Sequence, residues 1–378
     1  RYTVHRMEIA FPLKLANGGL DVAKKFGLRF GKLDAESILR VARKKTGLDD
    51  FGDDGFRVFM DRLLMEADAA RCTQVGEIAL RQTCYAAVVN RPRTQEYIHK
   101  HPEVLDIPIE RPVFIVGFPR TGTTLLQNLL SADPGCSALN FWELFSPAPV
   151  HHDPVKDREL RLMNAQRILQ LAKFVAPEIP MVHDTQADTK EEDWYLFENT
   201  FAVMNFDLAS GLSRYGDWLL QQDMVPPYRE FKTYLQMLAH WKPTGQFVLK
   251  CPEHLWFLDA LLEVFPDACI VWPHRDPVTC VASYSSMISL TRRAWYGRIY
   301  ADHIGAHITD RFFQGVEWGE EIKARYGETH FFDVRFEELI QDPIAMAQRI
   351  KTHFGLPQDD ASATRMQEWM DAPRADKP

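Results

Sequence analysis

The chain has 378 residues, of which 46% are hydrophobic and 12% aromatic, so it can bury a large core as one domain or as one domain with an appendage. Its formal net charge of −8 at pH 7 argues against non-specific binding to nucleic acid or to an anionic membrane surface. A site for an anionic ligand must therefore supply its own local positive charge.

The cysteines and the apolar runs predict a cytoplasmic protein. None of the six cysteines belongs to a Cys-x-x-Cys pair, and most lie in apolar segments, as reduced core thiols do. No apolar run approaches the roughly 18 residues of a membrane span, and residues 1–17 are too mixed for a signal peptide. We therefore expect neither stable membrane insertion nor an export signal.

Residues 1–108 are predicted to form a helical N-terminal region packed on the core. Asp34 is suited to cap a helix that begins at Ala35, and Gly47 is suited to end it. Apolar residues between 56 and 64 repeat at helical spacing, which predicts a second helix.

The remainder, 109–378, is predicted to be an α/β domain with a parallel sheet flanked by helices. Proline-rich pieces at 146–154 and 225–228 predict loops or turns, because proline cannot continue a helix. In parallel sheets, ligands bind beyond the carboxyl ends of the strands. Four short apolar runs, each followed by helical sequence, predict the strands: 113–116, 247–249, 269–272 and 330–334.

The segment VFIVGFPRTGTT predicts a phosphate-binding loop between the first of these strands and a helix. Gly117 and Gly122 are spaced as in G-x-x-x-x-G-K-[ST], where backbone N–H groups and the helix N-terminus cradle phosphate oxygens. Thr123 stands where an ATPase carries its lysine, and Thr124 adds a hydroxyl group. The positive charge lies instead at Arg120. The loop therefore predicts a phosphate ligand other than ATP.

GFPRTGTTLL resembles the 5′-phosphosulfate-binding loop of the sulfotransferases, in the bacterial branch where arginine replaces the lysine of the cytosolic enzymes. The resemblance covers about 111–345 and implies a fold like that of P-loop nucleotide-binding proteins. It also implies the donor 3′-phosphoadenosine 5′-phosphosulfate and the product adenosine 3′,5′-bisphosphate. The loop residues implied to bind the donor are Pro119, Arg120, Thr121, Gly122, Thr123 and Thr124.

Two later segments are similar to further elements of this family. PDACIVWPHRDPVTCVASY supplies Arg275 and, eight residues on, Ser283, the pair implied to hold the 3′-phosphate. Arg275 leaves a strand end and Ser283 lies about two turns into the next helix, so one phosphate can be gripped from two elements. VRFEELIQDP places Phe336 where a tyrosine is common, which keeps ring stacking on the nucleotide and removes the hydroxyl.

No metal is expected at this site. The sulfonate in transfer carries less charge than a phosphoryl group, so a Mg²⁺ site of the ATPase type is not required. Asp276 is suited to orient Arg275 or to cap the next helix. The cysteines and histidines also lack zinc-ligand spacing along the chain.

The acceptor hydroxyl must lose a proton, which calls for a general base. FVLKCPEHL places Lys250 and His254 just after a strand. In the cytosolic enzymes that the chain resembles, a lysine and a nearby histidine follow the equivalent strand. The histidine is implied as base and the lysine as the group that stabilises charge near the bridging oxygen. Here the two residues are four apart rather than two, which places the alignment of His254 in question.

A glutamate is the alternative base. Other sulfotransferase branches use one, and Glu191 or Glu192, in HDTQADTKEEDWYLF, is predicted to open an amphipathic helix near the same crevice. Acidic residues also stabilise a helix N-terminus without any catalytic role. His183 and Asp184 are weaker candidates of the same kind.

The sequence therefore predicts a sulfotransferase acting on a small-molecule hydroxyl acceptor, with a P-loop kinase of small molecules or nucleotides and a non-catalytic nucleotide-binding module as alternatives. Thr123 counts against the kinase, and the pairing of Lys250 with His254 counts against the binding module. Three aromatic segments are suited to line an apolar pocket for a lipid, glycolipid, polyketide or phenol: 141–150, 194–206 and 291–300.

Overall fold

The protein is described here by a computed structural model covering residues 6–8, 11–26, 33–175, 185–242 and 245–372. Its strands are β1 Arg6–Glu8, β2 Val113–Ile115, β3 Cys136–Ser137, β4 Gln246–Lys250, β5 Cys269–His274, β6 Arg298–Tyr300 and β7 Phe331–Arg335. Five of them form one parallel sheet in the order β3-β4-β2-β5-β7, and β1 pairs with β6 antiparallel. The predicted parallel α/β class is confirmed.

Helices cover both faces of the sheet. They are α1 Phe11–Lys25, α2 Ala35–Thr46, α3 Gly55–Ala69, α4 Gln74–Lys100, α5 Thr123–Leu130, α6 Phe141–Phe145, α7 Pro154–Val175, α8 Trp194–Phe197, α9 Asn205–Leu208, α10 Ser213–Leu219, α11 Val225–Trp241, α12 Leu258–Val264, α13 Pro277–Tyr296, α14 Ala301–Tyr326, α15 Phe336–Gln341, α16 Pro343–Phe354 and α17 Ser362–Asp371. In the described parts of the chain, no helix combines the length and the apolar character that crossing a membrane requires.

The predicted start and end of α2 are confirmed. Asp34 accepts a hydrogen bond from the backbone N–H of Ser37 at 3.2 Å, which satisfies one of the free donors of the first turn. Gly47 ends the helix with a φ of 72°, a left-handed conformation that costs glycine little.

The prediction of a loop or turn at 225–228 is wrong, because these residues form the first turn of α11. Pro226 and Pro227 are accommodated there since the first N–H groups of a helix have no intrahelical partner to lose. The other proline-rich piece is non-helical up to Pro154, which opens α7 in the same way.

The side chains of β2 alternate between two hydrophobic clusters. Phe114 belongs to the larger one, which also contains buried residues of the N-terminal helices α2, α3 and α4. Val113 and Ile115 point to the opposite face, where α5, α16 and α17 cover the sheet. The N-terminal helices therefore pack against the core, while the domain boundary at 108 stays a prediction. The carboxyl ends of the parallel strands converge on one edge of the sheet.

Candidate active site

The loop between β2 and α5 is built from three left-handed residues. Gly117, Arg120 and Gly122 have φ values of 107°, 75° and 88°. The hydroxyl of Thr121 donates to the carbonyl of Phe118 at 2.7 Å, which closes the turn from within. The first N–H groups of α5 have no intrahelical acceptor, which is the arrangement that binds anions at helix N-termini.

Gly122 lies where no other residue fits without strain. A Cβ atom there would lie 2.6 Å from Cδ2 of the buried Leu339. We expect Gly122→Ala to lower the free energy of unfolding by about 1–3 kcal/mol, measured by urea denaturation. The matched control is Gly305→Ala in α14, where a Cβ meets nothing within 4 Å. It should stabilise the protein by about 0.8–1 kcal/mol. Wild-type stability of Gly122→Ala would contradict this account of the loop.

Arg275 joins the loop from the neighbouring strand end. Its Nη1 donates to the carbonyl oxygen of Arg120 at 2.7 Å, and its guanidinium carbon lies 4.1 Å from the ring centre of Phe336. Ser283 lies about two turns further along, half-buried on α13. Asp276 caps α13 by accepting from the N–H of Thr279 at 2.9 Å, so the capping interpretation is confirmed. The structure thus brings the loop, Arg275 and Phe336 together.

Lys250 supplies a buried cation beside the loop. It ends β4, and its Nζ lies 3.4 Å from Oγ1 of Thr124 and 3.1 Å from Oε1 of Glu192. A second carboxylate oxygen, on Glu191, is 4.0 Å away. Burial lowers the pKa of Lys250, but the two carboxylates outweigh it and hold the pKa above its usual value. Lys250, on the adjacent strand, thus supplies the positive charge that Thr123 does not.

Glu191 and Glu192 are held at this place by the backbone. The N–H of Asp193 donates to the carbonyl of Lys250 at 3.2 Å, and the N–H of Glu191 donates to the carbonyl of Leu139 at 3.1 Å. The two glutamates do not open an amphipathic helix as predicted, because α8 begins only at Trp194 and has four residues. The carboxylate of Glu191 accepts from the hydroxyl of Thr185 at 2.8 Å and is buried, whereas Glu192 is 20% exposed.

His254 lies in the core, in the 3₁₀ helix Pro252–Trp256 that follows Lys250. Its Nε2 donates to Oδ1 of Asp193 at 3.0 Å, because an ionised carboxylate can only accept. In the neutral imidazole Nδ1 then carries no proton and accepts from the hydroxyl of Tyr228 at 2.7 Å. With both ring nitrogens bonded inside the protein, this arrangement does not favour the predicted role of His254 as the base. The other candidates, His183 and Asp184, lie outside the described residues.

A cavity of about 310 Å³ joins the loop to these carboxylates. Loop residues and polar side chains in its lining include Pro119, Arg120, Thr123, Thr124, Glu191, Glu192 and Glu253, and the apolar and aromatic lining residues include Leu169, Trp194, Tyr195, Leu208, Tyr284, Met287 and Ile288. His254 is not among the lining residues. A larger cavity of about 540 Å³ lies beside α2 and α3, and it touches neither the loop nor the strand ends. The smaller cavity is therefore the candidate active site.

Three residues of α13 that line the cavity were not predicted from the sequence. Tyr284, Met287 and Ile288 project from α13 at helical spacing, and that periodicity after the Arg275 motif was the available signal. Of the three predicted aromatic segments, 194–206 supplies Trp194 and Tyr195 to the cavity, 291–300 supplies Thr291 but none of its rings, and 141–150 packs mainly into the core.

Comparison with known proteins assigns the family. A family model described as "Sulfotransferase family" matches residues 112–360. The chain belongs to the sulfotransferase family.

Two solved structures share its fold over most of their length. Sulfotransferase STF1 from Mycobacterium tuberculosis H37Rv superposes with a TM-score of 0.79 and 31% identity, over 88% of this chain and 92% of that one. Sulfotransferase STF9 from Mycobacterium avium gives a TM-score of 0.79 and 29% identity, over 90% and 88%. Curated relatives from Mycobacterium bovis and M. tuberculosis, named omega-hydroxy-beta-dihydromenaquinone-9 sulfotransferase Stf3, are 25% identical over 283 residues. That match spans 68% of this chain and 66% of each relative.

Proposed function

We propose that this sulfotransferase moves a sulfonate group from 3′-phosphoadenosine 5′-phosphosulfate to the hydroxyl group of a small apolar acceptor. The observation that carries the proposal is that residues of the loop at 117–124 and Glu192 line the same cavity. The Nζ atom of Lys250 lies 3.4 Å from Oγ1 of Thr124 and 3.1 Å from Oε1 of Glu192. Such a transfer needs a site that binds the donor, a base for the acceptor proton and a cation for the leaving oxygen. The loop, Glu192 and Lys250 are suited to these three roles.

The donor would be held from three elements. The N–H groups at the start of α5 and the hydroxyls of Thr123 and Thr124 would bind the 5′-phosphosulfate. Arg275 and Ser283 would bind the 3′-phosphate, and the Phe336 ring would stack on the adenine. The contact of Arg275 with the loop carbonyl of Arg120 supports this assignment, because it fixes the guanidinium beside the loop before any ligand binds.

The proposed reaction uses charged groups in and beside the cavity. The acceptor oxygen forms a bond to sulfur while the bond from sulfur to the 5′-phosphate oxygen breaks, and the phosphate leaves with the electron pair. We assign Glu192 as the base that takes the acceptor proton, because its carboxylate lines the cavity whereas His254 does not. Lys250 and Arg120 would neutralise the negative charge that grows on the leaving oxygen. The proposed step includes no metal.

The acceptor is proposed to be apolar around its hydroxyl group. The cavity walls of Leu208, Met287 and Ile288 would bury a hydrocarbon surface, and the rings of Trp194 and Tyr195 add aromatic contact. The acceptor in the name of the Stf3 relatives, omega-hydroxy-beta-dihydromenaquinone-9, also carries a hydroxyl group. A cytoplasmic location is part of the proposal, and the six buried free thiols support it.

Nucleotide binding tests the donor site. Calorimetry without Mg²⁺ should show adenosine 3′,5′-bisphosphate binding far more tightly than AMP. Arg275→Ala should weaken the bisphosphate about 10- to 100-fold and AMP little, since a hydrogen bond to a charged group contributes about 1.5–3 kcal/mol. The control Arg349→Ala removes an exposed arginine that pairs with Glu338, and it should change neither affinity. Equal affinities for the two nucleotides in the wild type would contradict the proposed donor.

A further inference from the structure

Two imidazoles and a carboxylate meet outside the lining of the cavity, where the end of α4 contacts the end of α11. His101 follows α4, Glu103 lies in the 3₁₀ helix Pro102–Asp106, and His240 lies in the last turn of α11. Their ligand atoms all lie within 4.8 Å of one another. None of the three lines the candidate active site.

Two of the three separations fit tetrahedral metal ligands better than hydrogen bonds of ordinary length. Oε1 of Glu103 lies 3.4 Å from Nδ1 of His101 and 3.4 Å from Nε2 of His240. Hydrogen bonds between nitrogen and oxygen usually span about 2.7–3.2 Å. Two ligand atoms in tetrahedral positions around Zn²⁺, each about 2.0–2.1 Å from the ion, lie about 3.3–3.4 Å apart.

A tyrosine orients the imidazoles. The hydroxyl oxygen of Tyr97 lies 2.9 Å from Nδ1 of His240, so it can accept the proton of Nδ1 and leave Nε2 free to bind a metal. The Tyr97 ring also packs against His101, with ring centroids 4.8 Å apart. The side chains of His101 and Glu103 are 42% and 57% exposed, so an ion can enter from solvent.

We propose that His101, Glu103 and His240 bind a transition-metal dication, with Zn²⁺ as the best match. Imidazole and carboxylate are both common zinc ligands, and water would complete a tetrahedral set. The bound ion would join the end of α4 to α11 and so stabilise the fold in proportion to its saturation. This site is independent of the proposed transfer reaction. The sequence spacing did not predict it, because His240 is distant from the other two residues along the chain.

A second cluster with metal-binding residue types provides a control. Asp193, Cys251 and His254 also bring their ligand atoms within 4.8 Å of one another, but all three residues are buried. Both nitrogens of His254 are already bonded to protein groups. This cluster is therefore not expected to take up the ion.

The test is calorimetry of the untagged protein with Zn²⁺ alone, together with its melting temperature with and without a chelator. The wild type should bind one Zn²⁺ per chain and melt at a higher temperature with zinc. Glu103→Gln, His101→Ala and His240→Ala should each lose at least about tenfold in affinity, and Tyr97→Phe should lose about 10- to 100-fold.

The controls are His99→Ala, an exposed histidine on α4 that faces Asp50, and Cys251→Ser in the buried cluster. Both should bind zinc like the wild type. Because Glu103 is exposed, Glu103→Gln should fold normally even if a histidine variant does not. Absence of stoichiometric binding would overturn the proposal. So would zinc binding that survives Glu103→Gln, His101→Ala and His240→Ala but is lost in Cys251→Ser.

Discussion

Glu192→Gln is expected to lower turnover by about 10²- to 10⁴-fold, the usual range for loss of a general base. Glutamine keeps the shape of the side chain but cannot take the acceptor proton. Because the role proposed for the carboxylate is to take the acceptor proton and not to hold the nucleotide, the affinity for adenosine 3′,5′-bisphosphate should stay nearly unchanged. Steady-state kinetics and calorimetry on the same preparations measure the two quantities.

Two controls separate this role from the alternatives. Glu263→Gln removes an exposed carboxylate that pairs with Arg229 at 3.4 Å, and it should leave turnover unchanged. His254→Gln should reduce stability, because His254 bonds to both Asp193 and Tyr228 in the core. Turnover per folded molecule should nevertheless stay within about tenfold of the wild type, since a general base contributes more than that. If Glu192→Gln keeps its turnover and a folded His254→Gln loses it, His254 is the base after all.

Lys250→Met is expected to lower the free energy of unfolding by about 3–5 kcal/mol at neutral pH, measured by urea denaturation. Methionine has a similar length, so the main loss is the positive charge. Its removal leaves Glu191 and Glu192, with side chains 5% and 20% exposed, without their common cation. Turnover should fall as well, because Lys250 also lies beside the loop.

The pH dependence of the Lys250 contribution has a definite sign. The pKa of Lys250 lies above its ordinary value of 10.5, since its two carboxylate partners outweigh the opposing effect of burial. The stabilisation is therefore fully present below about 10.5 and lost only as the pH rises through the higher pKa of the folded state. Titration of Lys250 itself should therefore cause no change in the stability of the wild type around neutral pH.

Lys100→Met is the control for this charge, because Lys100 forms an exposed pair with Glu96 at 2.8 Å. It should change stability by less than about 1 kcal/mol. The double variant Lys250→Met/Glu192→Gln should recover part of the loss, since it removes one unneutralised carboxylate. A single Lys250→Met variant as stable as the wild type would show that the three charges are not coupled.

The elements predicted best from sequence were those encoded locally. Strand β5 begins with the apolar run 269–272, and α2 carries its own start and stop residues, Asp34 and Gly47. Strand β3 has only two residues, too few to show a pattern, and its place in the sheet depends on pairing with β4. The prolines opening α11 were misinterpreted because the first turn of a helix tolerates them.

The candidate site also contains features that the sequence predicts and contacts that only the fold creates. The loop at 117–124 was predicted from the spacing of its glycines and Arg275 from the resemblance to the sulfotransferases, and the structure joins the two through the carbonyl of Arg120. The contact between Lys250 and Glu192 depends on the backbone bond from Asp193 to β4, which joins distant segments. The orientation of His254 depends on a 3₁₀ helix that turns the ring into the core. Neither relation has a signal in the local sequence.

The most direct test of the proposed function is transfer of labelled sulfonate. The purified protein is incubated with 3′-phosphoadenosine 5′-[³⁵S]phosphosulfate and a panel of apolar alcohols, phenols and hydroxylated isoprenoid quinones, with ATP and Mg²⁺ in a parallel series. We expect label on at least one acceptor, release of adenosine 3′,5′-bisphosphate in equal amount without added metal, and loss of both with Glu192→Gln. Transfer of phosphate from ATP would indicate a kinase. Tight binding of the bisphosphate with no labelled acceptor and no release from the donor would contradict the proposed reaction and favour a nucleotide-binding module.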